Sequence, residues 1–173
     1  VLLPETIGSI AYLSKFKNIL KKNVISGFNL TCVGDEREYT YVKTPNENTI
    51  ADYSLAAALL GKKNVKSHSF LHRGSDERQY CAPNIDLPLC SFSRSKNYPE
   101  YHTDKDNFKV VTDKGLNQSL DIFKDILKIR THIREKELTG TKPLAEDLQD
   151  EFNEFFTNNK RLFEKVIDYE MDV

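Results

Sequence analysis

Apolar positions along the chain follow two periods, and the switches between them mark out the elements. Val1-Leu2-Leu3 is an unbroken apolar run ending at Pro4; it predicts a short buried strand that delivers Glu5 at its C-terminal end. From Ile7 the repeat becomes helical. Ile7, Ile10, Ala11, Ile19 and Leu20 share one broad face, with Lys15, Lys17, Lys21 and Lys22 largely outside it. Phe28–Val33 predicts a second strand, stopped by Gly34-Asp35, and Tyr39–Val42 is β-rich and stops before Pro45. Thr49–Leu60 is rich in Ala and Leu and meets Gly61, which predicts a helix with a glycine stop.

Residues 67–107 then carry little helical period. The stretch holds Gly74, Pro83, Pro88 and Pro99, and Leu87–Phe92 is the one clear strand in it. The helical repeat returns at Gly115: Leu116, Leu120, Phe123 and Leu127 fall at helical spacing, with Ile122, Ile126 and Ile129 beside them. Strands and helices that alternate in this way predict an α/β fold, a mixed β-sheet flanked by helices. Val1–Leu3, Phe28–Val33 and Leu87–Phe92 are expected as neighbours in that sheet. In such a sheet function gathers beyond the C-terminal ends of strands, here Glu5, Thr31 to Asp35 and Arg94 to His102.

Composition divides the chain near Arg134. Residues 1–134 carry 15 acidic and 20 basic side chains; residues 135–173 carry 11 and 5. The first part predicts one α/β domain and the second an acidic amphipathic helical tail. Leu144, Leu148, Phe152, Phe155, Phe156, Phe163 and Val166 form the tail's stripe. That stripe fits a helix packed on the domain, or a docking helix for a partner or a second copy. The whole chain of 173 residues balances 25 Lys+Arg against 26 Asp+Glu, which removes the usual electrostatic argument for nucleic-acid binding. No apolar run approaches the length of a membrane span, and no basic segment leads into an apolar stretch at the N-terminus. The absence of an initiating Met suggests a trimmed chain or part of a longer one. Cys32, Cys81 and Cys90 match neither C-x-x-C nor a zinc-ribbon spacing and read as small buried hydrophobes in a reducing compartment, so a cytoplasmic location is expected.

The chain contains no HExxH, P-loop, GxSxG or GxGxxG motif. Candidate chemistry rests on a few polar residues. Glu5, at a strand end and a helix start, reads as a dipole-favoured carboxylate or as a general base. Gly74-Ser75-Asp76-Glu77-Arg78 reads as a solvated loop, or as a substrate-side loop in which Asp76 orients a neighbour and Arg78 meets a carboxylate. Tyr101-His102-Thr103-Asp104-Lys105-Asp106 sets an imidazole near carboxylates, as a metal ligand requires. His68 and His72 have no comparable context.

Taken in order, these segments resemble the zinc aminopeptidase superfamily that includes glutaminyl cyclase, and within it a bacterial branch of aminopeptidase-domain proteins. Pro4-Glu5-Thr6-Ile7-Gly8-Ser9 is similar to its strand-to-helix motif, a pair of glutamates followed by glycine. Phe28 to Gly34 is similar to the following strand, Gly74-Ser75-Asp76 with Ile85 to Pro88 to its Ser-Asp-His loop and next strand start, and Tyr101-His102-Thr103 to its closing His-Thr motif. The resemblance covers residues 1–130 and implies a hydrolase of peptide or amide bonds. In it Glu5 is the general base toward a zinc-bound water, Asp76 supports the site from behind, and His102 is a zinc ligand. Arg78 and Tyr80 are expected to line the substrate pocket from their position alone. The chain departs from the pattern at Thr6 and Thr31, where the superfamily has carboxylate ligands, and at Glu77 and Asn84, where it has His and Gly. These departures imply one zinc ion rather than two, with its other ligands upstream of Val1, or a relative that keeps the fold and acts as a binding or regulatory module. A peptide or amide substrate is expected, with no nucleic acid and no membrane; a homo-oligomer or an N-terminal partner segment is left open.

Overall fold

The computed structural model describes residues 1–139, with side chains through Arg130; Val1–Ile126 is one compact unit. The predicted tail beyond Thr139, with its Leu144–Val166 stripe, lies outside the described residues. The order of elements is α1 (Ile7–Asn23), β1 (Gly27–Leu30), β2 (Tyr39–Val42), α2 (Ile50–Leu59), β3 (Val65–His68), α3 (Glu77–Tyr80), β4 (Leu89–Ser93) and α4 (Asp113–Thr139). A single turn of 3-10 helix, Phe70–His72, joins β3 to the loop before α3.

The four strands form one mixed sheet in the order β1-β4-β2-β3. β1 runs parallel to β4, with Asn29 opposite Ser91. β2 runs antiparallel to β4 and parallel to β3. The alternation of a strand sorts β4 by parity. Cys90 and Phe92 are buried toward the core, where the Cys90 thiol donates to the Ala51 carbonyl of α2. Ser91 and Ser93 face the other way, toward a pocket. α2 is fixed at both ends by its sequence. Thr49 and Asp52 exchange hydrogen bonds as a capping box, and Gly61 takes the left-handed conformation that ends it.

Three expectations need correction. Val1–Leu3 is not a strand: Val1 and Leu2 are fully exposed, and the run has no ladder partner among the described residues. A run of three residues cannot satisfy its backbone groups alone. α1 forms as expected but turns the other way, for Ile7 and Ile19 are 78% and 61% exposed while Ser9 and Leu13 are buried. Asp76 accepts the Ser9 hydroxyl and the Thr6 amide, which pulls that side of the helix inward. α4 is rotated for a similar reason. Gly115, Ser119, Ile122 and Ile126 are buried, whereas Leu116 and Leu120 are half exposed. Ser119 donates to the Val33 carbonyl, and a side chain at Gly115 would come within 2.1 Å of the Gly34 carbonyl oxygen. β3 adds a strand that the pattern before Ser67 did not indicate.

Gly115→Ala tests this close approach. Alanine is the better helix former by about 1 kcal/mol. The obstacle is backbone rather than a flexible side chain, so the clash outweighs propensity. Thermal or urea unfolding should show a net loss of about 1–3 kcal/mol. A more stable variant would mean that α4 lifts from the 34–35 turn at no cost.

Candidate functional site

The loop before α3 meets the start of α1, and a chain of short hydrogen bonds joins them. The Ser75 hydroxyl donates to the Glu5 carboxylate at 2.7 Å. Asp76 accepts the Thr6 amide with one oxygen and the Ser9 hydroxyl with the other, both at 2.7 Å. Glu77, only 1% exposed, accepts the Gly74 and Ser75 amides with one oxygen and the Asn29 side-chain amide with the other. Asn29 donates in turn to Ser91 of the neighbouring strand. Thus the loop is tied to the sheet by Glu77 and to α1 by Asp76, and Ser75 between them holds Glu5.

These groups border a pocket of about 150 Å³. Thr31 and Cys32 beyond β1, Ser91 and Ser93 of β4, Ser95, Lys96 and Asn97 after it, Tyr98 and Tyr101 wall it, with Gly74, Ser75 and Glu77 on the loop side. Its volume is well under the ~300–1,000 Å³ of a cleft that holds a drug-sized ligand, so it fits one side chain or end group. Among the described non-glycine residues, left-handed backbone occurs at Glu47, Asn64, Asn84 and Asp86 away from the pocket and at four residues in or beside it, Asn97 of the lining being one. Cys32 (φ 49°) lines the pocket, Thr6 (φ 61°) follows Glu5, and His102 (φ 61°) follows Tyr101. The conformation is costly for a β-branched threonine, and strain of this kind clusters at functional sites. The Tyr98 hydroxyl donates to Asp106 at 2.7 Å; burial first, then that bond, push its ionisation well upward. Burial, with the nearby Cys32 and Glu5, raises Tyr101 too, so both phenols serve as neutral hydrogen-bonding groups.

Residues 1–132 match the domain of unknown function DUF4910. The chain belongs to this family. A Clostridium acetobutylicum protein named for polysaccharide biosynthesis, with an aminopeptidase-like domain, is 35% identical over 127 residues, which are 72% of this chain and 29% of that protein. A crystal structure from the same species, named as a peptidase, shares 34% identity with a TM-score of 0.68 over 74% of this chain and 30% of its own. The zinc aminopeptidase of Bacillus subtilis aligns at 19% identity and a TM-score of 0.59, covering 70% of this chain and 32% of the enzyme. At that identity the likeness is one of fold. The chain therefore spans about 30% of the length of the relatives it matches, and its architecture is that of an aminopeptidase-like sheet with flanking helices.

Within the DUF4910 domain the residues singled out from sequence fall into two groups. Glu5 and Asp76 come together through the 74–77 loop, Glu5 exposed and Asp76 half-buried. His102 is exposed and stacks on Tyr101 with ring centroids 3.9 Å apart. It reaches the pocket wall only through that tyrosine. Arg78 is exposed, and its Nε donates to the Ser75 carbonyl; neither Arg78 nor Tyr80 is among the lining residues. The buried role of Glu77 was not legible in a run of small and charged residues. The only clue was its spacing from Gly74, which lets a carboxylate cap the turn behind it.

The cysteines divide by burial. Burial pushes the Cys81 thiol up to about 11 and Cys90 well above its ordinary value, whereas Cys32 is half-buried in the pocket wall. Only thiolates react readily. Titration of native protein with a thiol reagent near pH 8 should therefore modify Cys32 alone and reach all three thiols on denaturation. Equal native rates for the three would contradict the burial seen here.

Proposed function

We propose that this chain forms part of a hydrolase of peptide or amide bonds, with Glu5 as its general base. The observation that carries the reading is the Glu5–Ser75 hydrogen bond at the rim of the pocket, in a family whose relatives bear aminopeptidase and peptidase names. In this reading Glu5 takes a proton from the attacking water and returns it to the leaving amine. Asp76 positions Glu5 through the Thr6 amide. Arg78 and Tyr80 contact the part of a substrate that extends beyond the pocket.

Zinc is the cofactor implied by the aminopeptidase resemblance, with His102 as the candidate ligand. The described residues by themselves do not fit it. Among them no three His, Cys, Asp or Glu side chains gather to hold an ion, and His102 has an aromatic ring beside it rather than a second donor. A second reading, a binding or regulatory module on the same fold, is favoured by Thr6 and Thr31, whose hydroxyls are poor zinc ligands where the superfamily carries carboxylates.

Two measurements on the purified chain separate these readings. Dialysed protein should retain well below one zinc per chain. Retention of roughly one ion would overturn the misfit and bring in His68 and His72, whose rings lie 5.3 Å apart. Release of the amino-terminal residue from unblocked peptides and aminoacyl anilides, above the rate in matched buffer, supports the hydrolase. Peptide binding without cleavage of free-amino, blocked or amide substrates supports the binding module.

A further inference from the structure

Lys96 stands out in the pocket wall. It is half-buried, it lines the cavity, and among the described residues no carboxylate pairs with it. Other lysines of the described residues do find carboxylates, as Lys43 does Glu47, Lys66 does Glu38 and Lys114 does Glu36. Its ammonium lies beside Gly74, 3.5 Å from where a side chain at that position would begin. Gly74 adjoins Ser75, which holds Glu5. A half-buried cation without a counterion has given up part of its hydration, and an arriving anion restores what was lost.

The surroundings favour an anion over a neutral guest. Glu77 is the only acidic residue in the lining, and its oxygens are already taken by the Gly74, Ser75 and Asn29 N–H donors. Lys96 is the one cationic side chain in the lining, and the pocket's volume admits an end group rather than a whole chain.

We infer that Lys96 is the recognition group for a carboxylate of the ligand, held in the pocket next to the Glu5–Ser75 pair. This rests on the peptide reading above and deepens it: the preferred ligands are short peptides whose carboxylate reaches this corner. That carboxylate comes either from the peptide's C-terminus or from an acidic side chain.

The test uses the full 173-residue chain, isotopically labelled, at low salt. The probes are trialanine with a free C-terminus, its C-terminal amide, and the amide of Glu-Ala-Ala. Trialanine should shift the amide signals of Gly74, Ser75 and Asn97, and its amide should bind at least tenfold more weakly. Binding of the Glu-Ala-Ala amide as tightly as the free acid assigns the site to side-chain carboxylates; weak binding of it assigns the site to the terminus. Lys96→Met should bring the acid down to the level of the amide, and Lys96→Arg should restore most of the difference. Equal binding of acid and amide, no shifts with either acidic probe, or an unchanged preference in Lys96→Met would each overturn the assignment. The readout is binding, so it is distinct from the hydrolase reading. Carboxylate-selective binding without cleavage keeps this inference and discards the hydrolase. Cleavage that ignores Lys96→Met does the reverse.

Discussion

Glu77→Ala should destabilise the protein by about 3 kcal/mol, lowering the melting temperature by roughly 6–12 °C. The residue is buried, and its carboxylate accepts three N–H donors, from Gly74, Ser75 and Asn29. Truncation leaves three part-buried donors short of the acceptor that the buried carboxylate supplies, which costs more than the net worth of the bonds themselves. The methylenes lost add a smaller cavity term. Glu77→Gln separates charge from shape. Its amide oxygen still serves the Gly74 and Ser75 amides, but its NH₂ then faces the NH₂ of Asn29. Asn29 can flip its amide, since Ser91 accepts or donates equally well, so this variant should lose only about 1 kcal/mol. Unfolding curves for the two variants check the pair. If both lose the same amount, the buried charge rather than the unmet donors sets the cost. If neither loses stability, the 74–77 loop is not tied to β1 as the hydrogen bonds indicate.

The legible and illegible parts of this fold follow from where its polar groups point. α2 was readable because each signal is local: a Thr–Asp capping box, an Ala-Leu interior and a terminal glycine all agree. β1 and β4 were readable as short apolar runs between turn residues, and they pair as neighbours. The same reading set the exposed Ile7 and Ile19 on the apolar face of α1, and on α4 it ranked the half-exposed Leu116 and Leu120 with the buried Ile122 and Ile126, because it ranked positions by apolarity. The buried faces hold Ser9 on one helix and Gly115 and Ser119 on the other. Serine is admitted to those faces by distant acceptors, Asp76 and the Val33 carbonyl, which no periodicity reveals. Val1–Leu3 failed for the complementary reason, since apolarity alone does not supply a strand with a partner. At the site, Glu5 and Asp76 were legible through their places beside a helix start and a glycine turn. The bonds that bring them together, Thr6 amide to Asp76 and Ser75 hydroxyl to Glu5, were not, for each spans 70 residues of sequence. Lys96 was hidden altogether, because a lysine in an irregular segment is ordinarily solvated.

Glu5→Gln carries the largest expected effect on activity. If Glu5 is the base, a hydrolytically active preparation should lose about 10²–10⁴-fold in turnover, or roughly 3–5 kcal/mol of barrier. The substitution is nearly isosteric, and its amide oxygen can still accept the Ser75 hydroxyl, so the loop should stay in place. Glu5 is exposed and makes one side-chain hydrogen bond, so stability should change by no more than about 0.5 kcal/mol. Loss of rate without loss of fold is the mark of a reacting group rather than a scaffold. Asp76→Ala should behave differently. It releases both the strained Thr6 amide and Ser9, so turnover and melting temperature should fall together. Metal content gives an independent axis. Glu5→Gln should leave it unchanged because a base is lost and not a ligand, while His102→Ala should lower it wherever His102 binds the ion. Near-normal turnover in Glu5→Gln would remove Glu5 from the chemistry. Its carboxylate would then be a helix-start charge held by Ser75, and the pocket with its unpaired lysine would stand as a binding site on a hydrolase fold.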